Sequence, residues 1–85
     1  MNTEELRKLD RSHLVYSWKA QGKVNPIMID RAEGIYMWDT DGKQYIDGCS
    51  GLLCVNIGHK NQHVLNAMKQ QMEKACYVGT MFGTE

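Results

Sequence analysis

Hydrophobic and polar positions recur with two different periods along this chain, and the changes of period divide it into parts. Leu6, Leu9, His13 and Tyr16 fall on one helical face, and apolar positions at that spacing predict a helix from Glu4 to about Val15. Thr3 stands where a hydroxyl can cap the first turn, with Glu4 and Glu5 at the positive end of the dipole. The apolar stripe is thin, so this helix needs a neighbour to pack against. Ser17 to Asn25 reads as irregular and closes at Pro26, whose ring pushes Asn25 out of helical backbone.

Beyond Pro26 the period shortens. Ile27-Met28-Ile29-Asp30-Arg31, Ile35-Tyr36-Met37-Trp38 and Lys43-Gln44-Tyr45-Ile46-Asp47 are short runs rich in β-branched and aromatic residues. Turns ending in Gly34 and Gly42 separate them, and the pattern predicts a three-stranded antiparallel meander. The two glycines supply positive φ, and Asp39 bonds its own turn backbone, which accounts for Asp39 and Asp41 without an acid–base pair. Gly48 to Lys60 is too irregular for a helix and too apolar for an exposed loop, so it is expected to pack as a floor whose backbone finds partners elsewhere. Asn61 then caps a second helix through about Ala75, with Val64, Leu65, Met68 and Met72 at helical spacing as core residues. Tyr77 to Glu85 carries no helix or strand pattern. The expected architecture is α+β: N-terminal helix, three-stranded antiparallel meander, irregular apolar loop, second helix.

Eighty-five residues suit at most one small domain, and a chain of this size buries only about 60–65% of the surface its unfolded form exposes. Apolar residues at 42% and charged residues at 24% exclude a wholly disordered tail. No apolar run approaches the roughly 18 residues of a membrane span. Ten basic and ten acidic side chains cancel and are scattered, which leaves no electrostatic footprint for nucleic acid or an anionic membrane and favours a small-molecule or protein partner. The start, Met1-Asn2-Thr3-Glu4-Glu5, has no basic or apolar leader, so the cytoplasm is the expected compartment.

Candidate chemistry is sparse. There is no GxGxxG, P-loop, HExxH or GxSxG pattern, which removes nucleotide, zinc-peptidase and serine-hydrolase readings. Cys49, Cys54 and Cys76 are odd in number and not spaced as CxxC, so reduced, buried thiols are expected rather than disulfides. A metal shared by Cys49, Cys54 and His59 lacks a fourth ligand. His13, His59 and His63 read as surface or core histidines, His63 as a solvated one. Gly48-Cys49-Ser50-Gly51 offers backbone N–H groups that can approach an anion, but it opens no helix and has no lysine.

Taken in order, these segments resemble the beginning of the class III (omega) aminotransferases, especially the taurine–pyruvate and β-alanine–pyruvate types. The resemblance rests on Leu9-Asp10 with His13, Ser17-Trp18, Asn25-Pro26-Ile27, the run from Arg31 to Asp39, Asp41-Gly42-Lys43, Ile46-Asp47-Gly48, Ser50-Gly51-Leu52 and Val55-Asn56-Ile57-Gly58-His59. No single tetrapeptide among them is specific; their order is. The resemblance implies an N-terminal segment of a fold-type-I enzyme, comprising part of its small domain and the start of the link to a large domain. It also implies an active site at a homodimer interface.

Such enzymes use pyridoxal 5'-phosphate to move an amino group from an amine or ω-amino acid to an oxo acid such as pyruvate. The conjugated pyridinium takes up the electrons of the carbanion. In the family a lysine holds the cofactor covalently and an aspartate keeps its ring nitrogen protonated, both far beyond this segment. Lysines 8, 19, 23, 43, 60, 69 and 74 match neither position, so no catalytic residue is expected here, and the segment alone is expected to be inactive without specific cofactor binding.

What the resemblance assigns to these residues is lining. Trp18 matches a position where the family sets an aromatic side chain against the substrate. Leu53 matches one where many members carry Trp. Met81, beside Phe82, matches an often aromatic position that reaches toward the cofactor site of the partner subunit. Leu53 and Met81 thus depart from the family's pattern in ways that bear on the substrate. Two rival readings use the same residues: a free-standing α+β module that binds a protein partner without catalysis, and a small redox or metal protein built on the cysteines.

Overall fold

The computed structural model describes residues 1–84. Helix α1 spans Thr3–His13. Its cap is Asn2 rather than Thr3: Asn2 Oδ1 accepts from the Glu5 N–H at 2.9 Å and Glu5 Oε2 accepts from the Asn2 N–H at 3.0 Å. This reciprocal box satisfies two backbone donors at once, which one hydroxyl at Thr3 cannot do. Thr3 instead turns toward the strands, donating to Asp41 Oδ1 at 2.8 Å and pairing with Thr40 Oγ1 at 2.7 Å. The helix stops before Val15 because Leu14 is already extended, and its N–H closes the last turn on the Asp10 carbonyl. Arg7 Nε donates to the Pro26 carbonyl at 3.1 Å and ties α1 to the chain entering the sheet.

The irregular stretch contains one 3-10 turn, Gln21–Lys23. Strands β1 (Ile29–Glu33), β2 (Tyr36–Asp39) and β3 (Gln44–Ile46) form the antiparallel meander in the order β1-β2-β3. The first strand begins later than expected and carries a bulge between Ile29 and Arg31. Arg31 then lies opposite Trp38, its guanidinium 3.7 Å from the indole centroid. Gly34 and Gly42 have φ of +59° and +86°, as the turns require. Asp39 Oδ1 accepts from the Asp41 and Lys43 N–H groups at 3.0 and 2.9 Å, and Oδ2 accepts from the Tyr45 hydroxyl at 2.9 Å. The Lys43 N–H is the main cause that holds the Asp39 carboxyl below its ordinary range, against a smaller opposing effect of burial.

A single turn, α2 (Ser50–Leu53), follows, and then α3 (Gln62–Lys74), capped as expected by Asn61 Oδ1 accepting from the Val64 N–H at 3.2 Å. Among the described residues none of the helices is long and apolar enough to cross a membrane.

The expected apolar floor and helix core are not enclosed. Val24 is the one buried apolar side chain among the described residues, whereas Leu52, Ile57, Met68, Met72 and all three cysteines are exposed. The accessible surface is 7423 Å², against about 5,100 Å² for a compact chain of this mass. The radius of gyration is 16.6 Å, against about 12 Å for a compact domain of this length. The physical reason is geometric: a three-stranded sheet and two helices that lie apart from one another give the apolar face of α3 and the 48–60 loop no opposing layer.

Candidate functional site

Among the described residues, the loop between β3 and α3 has the least ordinary backbone. Ser50, Gly51, Leu52 and Leu53 take φ of +52°, +56°, +64° and +67° in succession, so α2 is wound in the left-handed sense. For residues other than glycine this costs about 1–2 kcal/mol each, or about 3–6 kcal/mol for Ser50, Leu52 and Leu53 together. The turn closes on itself through the Leu53 N–H to the Cys49 carbonyl at 3.1 Å and the Cys54 N–H to the Ser50 carbonyl at 2.7 Å.

Asp47 anchors it. Its Oδ1 accepts from the N–H groups of Cys49 and Ser50 at 3.1 and 2.9 Å, and its Oδ2 accepts from His59 Nε2 at 2.5 Å. The His59 ring is the largest cause that holds the Asp47 carboxyl below its ordinary range, with the Ser50 and Cys49 N–H groups adding to it and burial opposing. The N–H groups that could approach a phosphate are therefore already bonded to a carboxylate of the chain itself. His59 in turn makes an antiparallel bridge to Gly34, with N···O distances of 2.8 and 3.0 Å. Gly58, at φ +87°, permits this approach, since a Cβ there would come within 3.2 Å of the Gly34 carbonyl oxygen.

The four side chains singled out by resemblance all stand in the open: Trp18 is 88% exposed, Leu53 80%, Met81 90% and Phe82 73%. Trp18 shares with Leu53 a positive φ, +57°. No ring contact joins Trp18 to Phe82; among the described residues the close aromatic pair is Tyr36 and Trp38, 6.1 Å apart. An open concavity beside Trp18 in the chain is lined by Tyr16, Lys19, Ala20, Lys23, Val24, Asn25 and Pro26, and Trp18 is not part of its wall.

Asp47 and His59 are the pair that reasoning from the sequence did not join. Both lie inside the quoted segments, but twelve residues apart and with no periodicity linking them.

The Aminotransferase class-III family model matches residues 17–85. The chain belongs to the class-III aminotransferases. Among its relatives, acetylornithine aminotransferase of Archaeoglobus fulgidus is 32% identical over 75 residues, covering 88% of this chain and 19% of the relative. Putrescine–pyruvate aminotransferase of Pseudomonas aeruginosa is 31% identical over 85 residues, covering 96% and 19%. Among solved structures, taurine:2-oxoglutarate aminotransferase from Bifidobacterium kashiwanohense, in complex with PLP and glutamate, superposes with a TM-score of 0.89 at 35% identity, covering 100% of this chain and 19% of that one. An (S)-enantioselective omega-transaminase from Thermomicrobium roseum gives 0.85 at 36% identity, covering 98% and 19%.

The chain thus spans about a fifth of the length of these relatives. Class-III aminotransferases depend on pyridoxal phosphate. All seven lysines are exposed within this segment. The backbone donors of the Gly48–Gly51 stretch at Cys49 and Ser50 are spent on Asp47.

Proposed function

We propose that this chain supplies one wall of the substrate cleft of a class-III aminotransferase, which moves an amino group from an amine or ω-amino acid to an oxo acid such as pyruvate. The observation that carries this reading is that Trp18 and Leu53 lie in the stretch matched by the family model and both stand on backbone of positive φ. Backbone held in a costly region fixes where a side chain stands. Bound pyridoxal phosphate supplies the electron sink for the reaction. The part of these residues is to shape and exclude water from the cleft, with Trp18 and Leu53 as its wall. Met81 and Phe82 extend toward the cofactor site of a partner subunit in a homodimer. The segment forms part of the small domain and the start of the link to the large one, and its exposed apolar residues meet the remaining layers there.

The test is kinetic, in the full-length aminotransferase carrying this segment, with one small ω-amino acid and one bulky amine as donors. Leu53→Trp narrows the cleft, so it should lower kcat/KM for the bulky donor more than for the small one, by about 1–3 kcal/mol in discrimination. Trp18→Ala removes a shared wall and should weaken both donors together. Equal losses for the two donors in Leu53→Trp would show that this side chain does not face the substrate.

A further inference from the structure

The bonds that hold α2 from outside converge on one carboxylate. Asp47 Oδ1 takes the Cys49 and Ser50 N–H groups, and Oδ2 takes His59 Nε2. Both halves of this clamp are anchored in the same hairpin turn between β1 and β2: the Asp47 N–H donates to the Ile35 carbonyl at 2.7 Å, and His59 pairs with Gly34 in both directions. The clamp is therefore fixed to the sheet, while the turn that it grips projects from it. Within this segment no packing holds Leu52 and Leu53, which are 59% and 80% exposed. Left-handed backbone at such residues persists only where the surroundings over-determine it.

We propose that Asp47, backed by His59, is a positioning residue that sets donor specificity: it locks α2 in its left-handed form and thereby fixes where the Leu53 side chain stands in the cleft. The proposal rests on the reading of Leu53 as part of the substrate wall. Without the carboxylate, the Cys49 and Ser50 N–H groups lose their acceptor, the turn relaxes toward negative φ, and the Leu53 side chain swings to a different place. Neither Asp47 nor His59 touches the substrate in this account. They act through Leu53, and the donors affected are those bulky enough to reach it.

The experiment uses the full-length enzyme with pyridoxal phosphate bound and compares kcat/KM for a bulky amine and a small ω-amino acid. Asp47→Ala should shift the ratio between the donors by about tenfold, carried mainly by KM, with cofactor occupancy unchanged. Asp47→Asn keeps an acceptor for the two N–H groups and can donate its amide to His59 Nε2 once the imidazole changes tautomer, so it should restore the ratio to within about twofold. In a Leu53→Ala background Asp47→Ala should no longer move the ratio, because the wall it positions has gone. An unchanged ratio in Asp47→Ala, or the same shift with and without Leu53, would overturn the proposal. If Asp47→Ala fails to fold, His59→Ala, which removes the donor to Asp47 Oδ2, takes its place and should shift the ratio in the same direction. A crystal structure of the variant separates the two levels of the account. Positive φ retained at Ser50, Leu52 and Leu53 refutes the clamp whatever the activity. A wild-type enzyme without turnover on any amine refutes the proposed function instead.

Discussion

The meander and the loop that follows it are each organised by an aspartate, but over different distances. Asp39 bonds residues two and four positions on and the hydroxyl of Tyr45 six positions on. Asp47 bonds residues two and three positions on and then reaches His59, twelve positions away. The first arrangement holds a turn that its glycine already favours. The second holds three residues other than glycine in backbone that L-amino acids avoid. A carboxylate in a turn is thus a local device in one case and a brace for strain in the other, and the residue types alone do not tell them apart.

Substituting the glycines separates the two regions most strongly. Gly58→Ala places a Cβ against the Gly34 carbonyl oxygen at 3.2 Å and keeps the positive φ, so it should destabilise the full-length protein by about 1–3 kcal/mol in chemical denaturation. Gly42→Ala meets the same φ restriction in the meander but nothing within 4 Å, so its loss should be smaller. Equal losses would mean that the Gly34–His59 approach contributes nothing beyond backbone conformation.

Much of this was legible in the chain. The Asn61 cap, the Asx turn at Asp39, the three strands and the span of α3 are set by neighbours within a few residues, and their residue types announce them. Thr3 and Asn2 are both capping types at the start of α1, and only the reciprocal bond with Glu5 decides between them. The left-handed sense of α2 was not legible, since it depends on His59 returning to a carboxylate and on Gly34 receiving His59. The exposure of Leu53, Met68 and the cysteines was not legible either, because apolar residue types report a need for cover and not whether this chain provides it.

Acid acts on both carboxylates more weakly. The Asp39 and Asp47 carboxyls both lie below their ordinary 3.8 in the folded chain. A depressed carboxyl contributes stability that is present above its unfolded value and is lost as pH falls through its folded one. Amide exchange at Asp41, Lys43, Cys49 and Ser50 should therefore stay protected down to about pH 4 and rise only below it. At Cys49 and Ser50 the rise should coincide with loss of protection at Gly34 and His59, whereas the strand amides of β2 persist. Loss of protection at Cys49 and Ser50 between pH 7 and 5 would contradict the role given to the Asp47 carboxylate.

Under the proposed function the walls of the cleft lie in this segment and the covalent chemistry lies elsewhere. Borohydride reduction of the full-length enzyme loaded with pyridoxal phosphate, followed by peptide mapping, tests that division most directly. The reduced pyridoxyl group should be found on a lysine outside residues 1–85, and the isolated chain given one equivalent of cofactor should show only scattered, weak labelling of its exposed lysines. A single stoichiometric label on Lys8, Lys19, Lys23, Lys43, Lys60, Lys69 or Lys74 would contradict it.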